Sequence, residues 1–237
     1  MINLFNTDNM EFMRQLPDKF YDLAIADPEQ GKKEHGGIDR SKFVQQKNGT
    51  RIWVQDGNYK KKSWDYYPAT NEYFDELMRI SKHQIIWGEQ YFDRYFGKGR
   101  IIWDKVNGKS HQFDCEIAYC SLNDRAELFR FMWAGMMQGK SIEEGHIAQG
   151  NKKLNEGRRH PTHKPSALYK WIFTHYKIPK DWKIFDPNLG SGSIGIACIH
   201  LGYNLDACEI DYEQYHIAKH WIEYEEKHIN QQLNLLV

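Results

Sequence analysis

One stretch near the C-terminus constrains this chain more than any other. Trp182-Lys-Ile-Phe reads as a short buried strand and Asp186-Pro-Asn-Leu-Gly-Ser-Gly-Ser as a turn; Ile194 to Leu201 reads as an apolar helix, and Leu205-Asp-Ala-Cys-Glu209 as a second strand ending in an acid. Gly190 and Gly192 let the backbone approach a ligand with no Cβ in the way, and the helix start offers free N–H groups to polar ligand atoms. An acid about 20 residues past such a loop is placed to accept hydrogen bonds from ribose hydroxyls. A glycine turn that merely leads into its helix would explain the glycines, but not the acid that stays in register with them.

Gly190, Gly192 and Gly195 also fit G-x-G-x-x-G, so a dinucleotide site has to be weighed. Asp186-Pro187 opposes it, because a carboxylate at the strand tip repels pyrophosphate and attracts an ammonium group. Only 28 residues follow Glu209, too few for the remaining strands of a nicotinamide-binding half. The other strands are therefore expected upstream, in a sheet circularly permuted relative to the usual nucleotide-binding order.

The upstream sequence supplies them. Tyr21-Asp-Leu-Ala-Ile-Ala is an apolar run stopped at Asp27-Pro28, and Gln84-Ile-Ile-Trp-Gly, Arg100-Ile-Ile-Trp and Glu116-Ile-Ala-Tyr-Cys read as further strands. Asn71 to Ser81 and Ala167 to Tyr176 have helical apolar spacing, and Asp211 to Gln232 reads as a covering helix with an acidic outer face, a candidate contact between two copies. Strands alternating with helices predict a mostly parallel sheet covered on both faces, in a single domain over 1–237. Residues 31–63 and 138–160 show little periodicity and read as irregular insertions, the kind of long loop that is usually functional.

Composition narrows the function. With 41% hydrophobic and 27% charged residues the chain is an ordinary globular one. No apolar run reaches the length of a bilayer span, and the start at Met1 lacks a secretory pattern, so a cytoplasmic protein is expected. Cys115, Cys120, Cys198 and Cys208 form neither a disulfide framework nor a C-x-x-C pair and are expected as reduced, mostly buried thiols. Net charge is zero, but residues 32–62 carry nine Lys or Arg against three acids, while 206–227 carry seven acids against two bases. The basic aromatic segment 31–67 is thus the candidate contact for a polyanion such as DNA. His160 and His163 have no evident third ligand, so no metal is expected. Trp64, Trp87, Trp103 and Trp133 are read as packing residues.

Two motifs now carry a resemblance. Asp186-Pro-Asn-Leu-Gly-Ser-Gly-Ser resembles the D-P-F-x-G-S-G-T element of the amino-group DNA methyltransferases, and His160-Pro-Thr-His-Lys-Pro is similar to the H-P-T-x-K-P element that precedes it in their β-type permuted order. Asp27-Pro28 stands where that family carries D-P-P-Y, and the likeness runs with interruptions from about Leu4 to Tyr215. It implies a permuted Rossmann-like class I methyltransferase fold with S-adenosylmethionine as cofactor. By the same resemblance Asp8 lies near the adenine, and Glu209, followed by Ile210, holds the ribose. Asp186, Pro187, Gly190, Ser191, Gly192 and Ser193 surround the methionine part, with Thr162 and Lys164 close by. Asp27 and the Pro28 carbonyl take hydrogen bonds from the target amine, and Asp rather than Ser there points to adenine N6.

The pattern breaks at the next two positions. Glu29 and Gln30 replace Pro and Tyr, so the ring that stacks on a flipped-out base is missing, a loss of about 1–3 kcal/mol per base. Phe43, Trp53, Tyr59, Trp64, Tyr66 or Tyr67 could supply a substitute. The expected activity is adenine N6 methylation of DNA. The alternative is a catalytically silent relative that keeps the fold as a nucleic-acid- or partner-binding module, and an RNA or protein substrate is a third reading.

Overall fold

The computed structural model describes residues 1–31, 42–45, 49–54, 67–108, 114–134, 136–159 and 162–234. The elements run β1 (Ile2–Phe5), α1 (Asn9–Arg14), β2 (Tyr21–Ala26), β3 (Lys42–Gln45), β4 (Arg51–Val54), α2 (Asn71–Ile80), β5 (Ser81–Trp87) and β6 (Arg100–Asp104). They continue with β7 (Cys115–Cys120), β8 (Ala126–Arg130), β9 (Trp133–Ala134), β10 (Met137–Gln138), α3 (Ser166–His175), β11 (Lys183–Asp186), α4 (Ser193–Leu201), β12 (Asn204–Cys208) and α5 (Tyr212–Asn234).

Eight strands form one sheet in the order β1-β12-β11-β2-β5-β7-β6-β8. Every pairing is parallel except those of β7 with β5 and β6. The unit β11-α4-β12 enters between β1 and β2, so the C-terminal third of the chain supplies the second and third strands of the sheet, the permuted order expected. Alternation along the strands explains the two covered faces. Leu23, Ile25, Ile85 and Trp87 point into one core with Leu168, Ile172 and Phe173 of α3 and Ile194, Ala197 and Cys198 of α4. Ala24, Ala26 and Ile86 point into the other, with Met13 of α1 and Phe74, Leu77 and Ile80 of α2. Trp87 and Trp103 are fully buried and Trp133 nearly so, as packing residues should be. Trp64 lies outside the described residues. Cys120, Cys198 and Cys208 are buried free thiols, while Cys115 is exposed.

The structure corrects the reading of the insertions. Within 31–63, β3 and β4 pair as an antiparallel hairpin. The second stretch begins inside β10, which pairs with β9. It is tied back where the Gln138 side chain donates to the Glu156 carbonyl at 2.7 Å and accepts the Glu156 N–H at 2.8 Å. β8 was not expected at all. Its only large apolar residues, Leu128 and Phe129, are adjacent, and Leu128 is exposed, so this edge strand carries no alternating signal. No helix among the described residues is long and apolar enough to cross a membrane.

Candidate active site

From β11 the chain crosses by α4 to β12 on one side, and from β2 it crosses by α2 to β5 on the other. Neighbouring connections leave in opposite directions there, which opens a crevice at the carboxyl ends of the two strands, the usual ligand position of an open α/β sheet. Asp186 ends β11 and Asp27 directly follows β2, so an acid stands at each lip. A cleft of about 1150 Å³ occupies the crevice, and its lining includes Asp8, Asp27, Tyr73, Lys164, Asn188, Gly190 and Glu209.

On the β11 side the glycine loop is held by its neighbours. Asn9 donates to the Pro187 carbonyl at 3.1 Å, the Tyr73 hydroxyl to Asn188 Oδ1 at 2.6 Å, and Gln214 to the Gly190 carbonyl at 2.8 Å. The two loop glycines have different tasks. Gly190, at φ 53°, lines the cleft, and a Cβ there would meet only the Asn188 carbonyl oxygen, at 3.7 Å. Gly192, at φ 85°, faces α5, where a Cβ would come within 3.1 Å of Ala218 Cβ; its lack of a side chain serves helix packing. Asp8 caps α1, its Oδ1 accepting the Glu11 N–H at 3.0 Å. Glu209 accepts the Gly190 N–H and the Asp211 N–H, both at 2.9 Å. Each carboxylate oxygen has a second lone pair, so such bonds leave acceptor capacity toward the cleft. Burial pushes the Glu209 carboxyl up to about 7 and that of Asp186 up to about 8, although Asp186 accepts the Asn188 N–H at 2.9 Å.

The β2 side is compensated instead. The Lys164 ammonium, 4% exposed, donates to Asp27 Oδ2 and lies 3.2 Å from Glu116 Oε2, while Lys105 reaches Glu116 Oε1 at 2.5 Å. Burial opposes the charge on Glu116, yet the two ammonium groups overcome it and hold the carboxyl at about 2. The Lys164 pKa is in turn raised, against its burial, by Asp27 and Glu116. Gln30 turns inward and donates to Asp27 Oδ1 at 3.1 Å. Its amide lies over Gly88, at φ 72°, where a Cβ would come within 2.4 Å of it.

A family model described as DNA methylase matches residues 17–220, most of the chain. This chain belongs to that DNA methylase family. It is 22% identical to the Type II methyltransferase M2.DpnII of Streptococcus pneumoniae, over 94% of this chain and 90% of that protein. Its fold is similar to that in the crystal structure of an M1.HpyAVI-SAM complex, at 18% identity, TM-score 0.54 and coverage of 92% of this chain and 98% of that one. It is also similar to the PvuII DNA methyltransferase, described as cytosine-N4-specific, at 11% identity, TM-score 0.52 and coverage of 96% and 92%.

Within this DNA methylase the cleft brings together Asp8, Asp27, Thr162, Lys164, Pro187, Gly190, Ser191, Glu209 and Ile210. Pro28, Asp186 and Ser193 are buried at its margin, and Gly192 belongs to the α4–α5 contact. Lys164, which lines the cleft, is also bonded to Asp27. His163 accepts the Arg159 N–H on Nδ1 at 3.0 Å, which puts the ring proton on Nε2, 2.7 Å from Glu156 Oε1 and 2.9 Å from Ser193 Oγ. The ring thus links the second insertion to the glycine loop. Among the described residues no group of three potential ligands could hold a metal ion, and His160 lies outside them. Glu116 and Lys105 were missed as site residues. The available signal was a charged residue inside a strand that should have been apolar, since buried charges are almost always paired.

Proposed function

We propose that this DNA methylase transfers a methyl group from S-adenosylmethionine to the exocyclic amine of a base turned out of the duplex, with adenine N6 as the target. The observation that carries the reading is one cleft with two unlike acidic lips. Asp186 and Glu209 stand on the β11 side, and a lysine-braced Asp27 stands on the β2 side.

The donor set fits the cofactor. Asp186 and Glu209 are buried acids whose raised values mean that the site favours an added positive charge or a hydroxyl donor. In this assignment Asp186, Pro187, Gly190, Ser191 and Thr162 flank the methionine part, Glu209 and Ile210 the ribose, and Asp8 the adenine. When bound, the cofactor supplies a methyl group on a positively charged sulfur. Asp27 accepts a hydrogen bond from the target amine and turns the nitrogen lone pair out of the ring plane, toward the methyl group. The Pro28 carbonyl accepts a hydrogen bond from the second amine N–H, so the nitrogen is aimed and its developing positive charge is stabilised until the methylated amine gives one proton to solvent, the sulfur departing as a neutral thioether. Lys164 and Gln30 hold the Asp27 carboxylate in one orientation and leave it lone pairs for the base.

Calorimetric titration with S-adenosylmethionine, followed by labelled methyl transfer to mixed-sequence duplex DNA, tests the reading. Mass spectrometry of the product is expected to show N6-methyladenine, and Asp27→Ala is expected to lower transfer at least about a hundred-fold with cofactor binding kept. N4-methylcytosine as product would replace the target assignment. Cofactor binding with no transfer to any DNA would leave the silent-relative reading in its place.

A further inference from the structure

Beside the glycine loop a line of polar side chains runs from the second insertion to the loop itself. It starts at Glu156, whose carboxylate accepts the Ser166 N–H at 3.1 Å and the Ser166 hydroxyl at 2.6 Å. Glu156 thus caps α3, where the helix's own N-cap, Pro165, makes no side-chain cap bond. The line continues through the His163 ring, whose side chain is fully buried, to Ser193 Oγ, and it ends at Ser191 Oγ, 2.8 Å further on. Ser191 borders the cleft, whereas Ser193 does not.

The direction of these bonds can be read from one end. The Arg159 N–H occupies the Nδ1 lone pair of His163, so the ring hydrogen sits on Nε2. Glu156 Oε1 at 2.7 Å and Ser193 Oγ at 2.9 Å both face that N–H and share it as acceptors. Ser193 therefore cannot donate to the ring. A buried hydroxyl hydrogen needs an acceptor, and Ser191 Oγ provides one. The hydrogen of Ser191 is then left over, on a residue that lines the cleft. A hydroxyl can ordinarily play either part, but this one is fixed as a donor, which suits an anionic ligand group. The positive end of α4, which begins at Ser193, favours the same charge.

We infer that Glu156, His163 and Ser193 are positioning residues that hold the Ser191 hydroxyl as a hydrogen-bond donor to the carboxylate of the cofactor's methionine part. They act through Ser191 and need not touch the cofactor. The inference rests on the methyl-transfer reading, and its test separates the two.

Two ligands are titrated by calorimetry: S-adenosylmethionine, and methylthioadenosine, which has the adenosyl and thioether parts but neither carboxylate nor ammonium. The proteins are the wild type, Ser191→Ala, Ser193→Ala, the double variant, His163→Leu and His163→Gln. Each single Ala variant is expected to weaken S-adenosylmethionine about ten-fold and to leave methylthioadenosine within about two-fold. The double variant should bind no worse than the weaker single, because both changes remove the same bond. His163→Leu should match Ser193→Ala, and His163→Gln, whose amide can present an N–H where the ring did, should recover to within about three-fold of the wild type. Losses that add in the double variant, or that are equal for the two ligands, overturn the relay and leave its members as packing. Wild-type affinity for S-adenosylmethionine in Ser193→Ala overturns it as well, while the cofactor assignment stands. A wild-type protein that binds neither ligand overturns both.

Discussion

The two lips of the cleft use the same residue type in opposite electrical states. At the β11 lip, burial raises Asp186 to about 8 and Glu209 to about 7. At the β2 lip, Lys164 and Lys105 hold Glu116 at about 2, and Lys164 also pairs with Asp27. The first lip lacks a positive charge that a ligand can bring, whereas the second contains its own. A site that receives a cationic donor and a neutral amine needs this asymmetry. An acid already neutralised by a lysine attracts a cation weakly, and an acid that is mostly protonated makes a poor hydrogen-bond acceptor for an amine.

The most damaging way to break the comparison is Lys164→Met, which leaves Asp27 and Glu116 facing each other without their shared cation. Transfer is expected to fall about a hundred-fold or more, and the denaturant midpoint to report a loss of about 3 kcal/mol. Cofactor affinity should change little, because Lys164 serves the other lip. Transfer at the wild-type rate would show that the lysine is packing alone.

A smaller effect is expected from Asp186→Asn, which lowers cofactor affinity about ten-fold by removing a charge-assisted bond. In the wild type a cation at Asp186 favours the ionised carboxyl, so binding at pH 7 must release a proton and affinity must rise from pH 6 to pH 7.5. Calorimetry in buffers of different ionisation enthalpy measures that release, which the Asn variant should lose.

The mildest test needs no substitution. Asp186 and Glu209 bind protons more tightly folded than unfolded, so the ligand-free protein should lose stability as pH rises from about 5 to about 8. Glu116 acts in the opposite sense, contributing above its ordinary value of 4.5 and losing that contribution as pH falls toward 2. Ligand-free stability measured in denaturant should therefore peak near pH 5. A flat profile across this range would mean that the lips are not electrically distinct.

The β11 lip was largely legible because its parts are consecutive. Strand, loop, helix and acid lie within Lys183 to Glu209, and local rules for glycine turns and strand ends apply directly. The stop at Asp27-Pro28 was legible for the same reason. The β2 lip was not. Lys164 and Asp27 are 137 residues apart, and Glu116 arrives on β7 and Lys105 just past β6, two strands whose pairing no local pattern specifies. Gln30 could be seen as a departure from a motif, but not as a side chain folded onto Gly88. The separate tasks of Gly190 and Gly192 also depend on where α5 lies.

That one βαβ unit with a glycine loop and a following acid would be built was legible in the chain alone, because hydrophobic period and turn chemistry act over a few residues. Which carboxylates keep their charge was settled by how distant parts of the chain pack together. That depends on distances between groups far apart in the chain and on how much water the packing leaves around them, and neither quantity is written in local order.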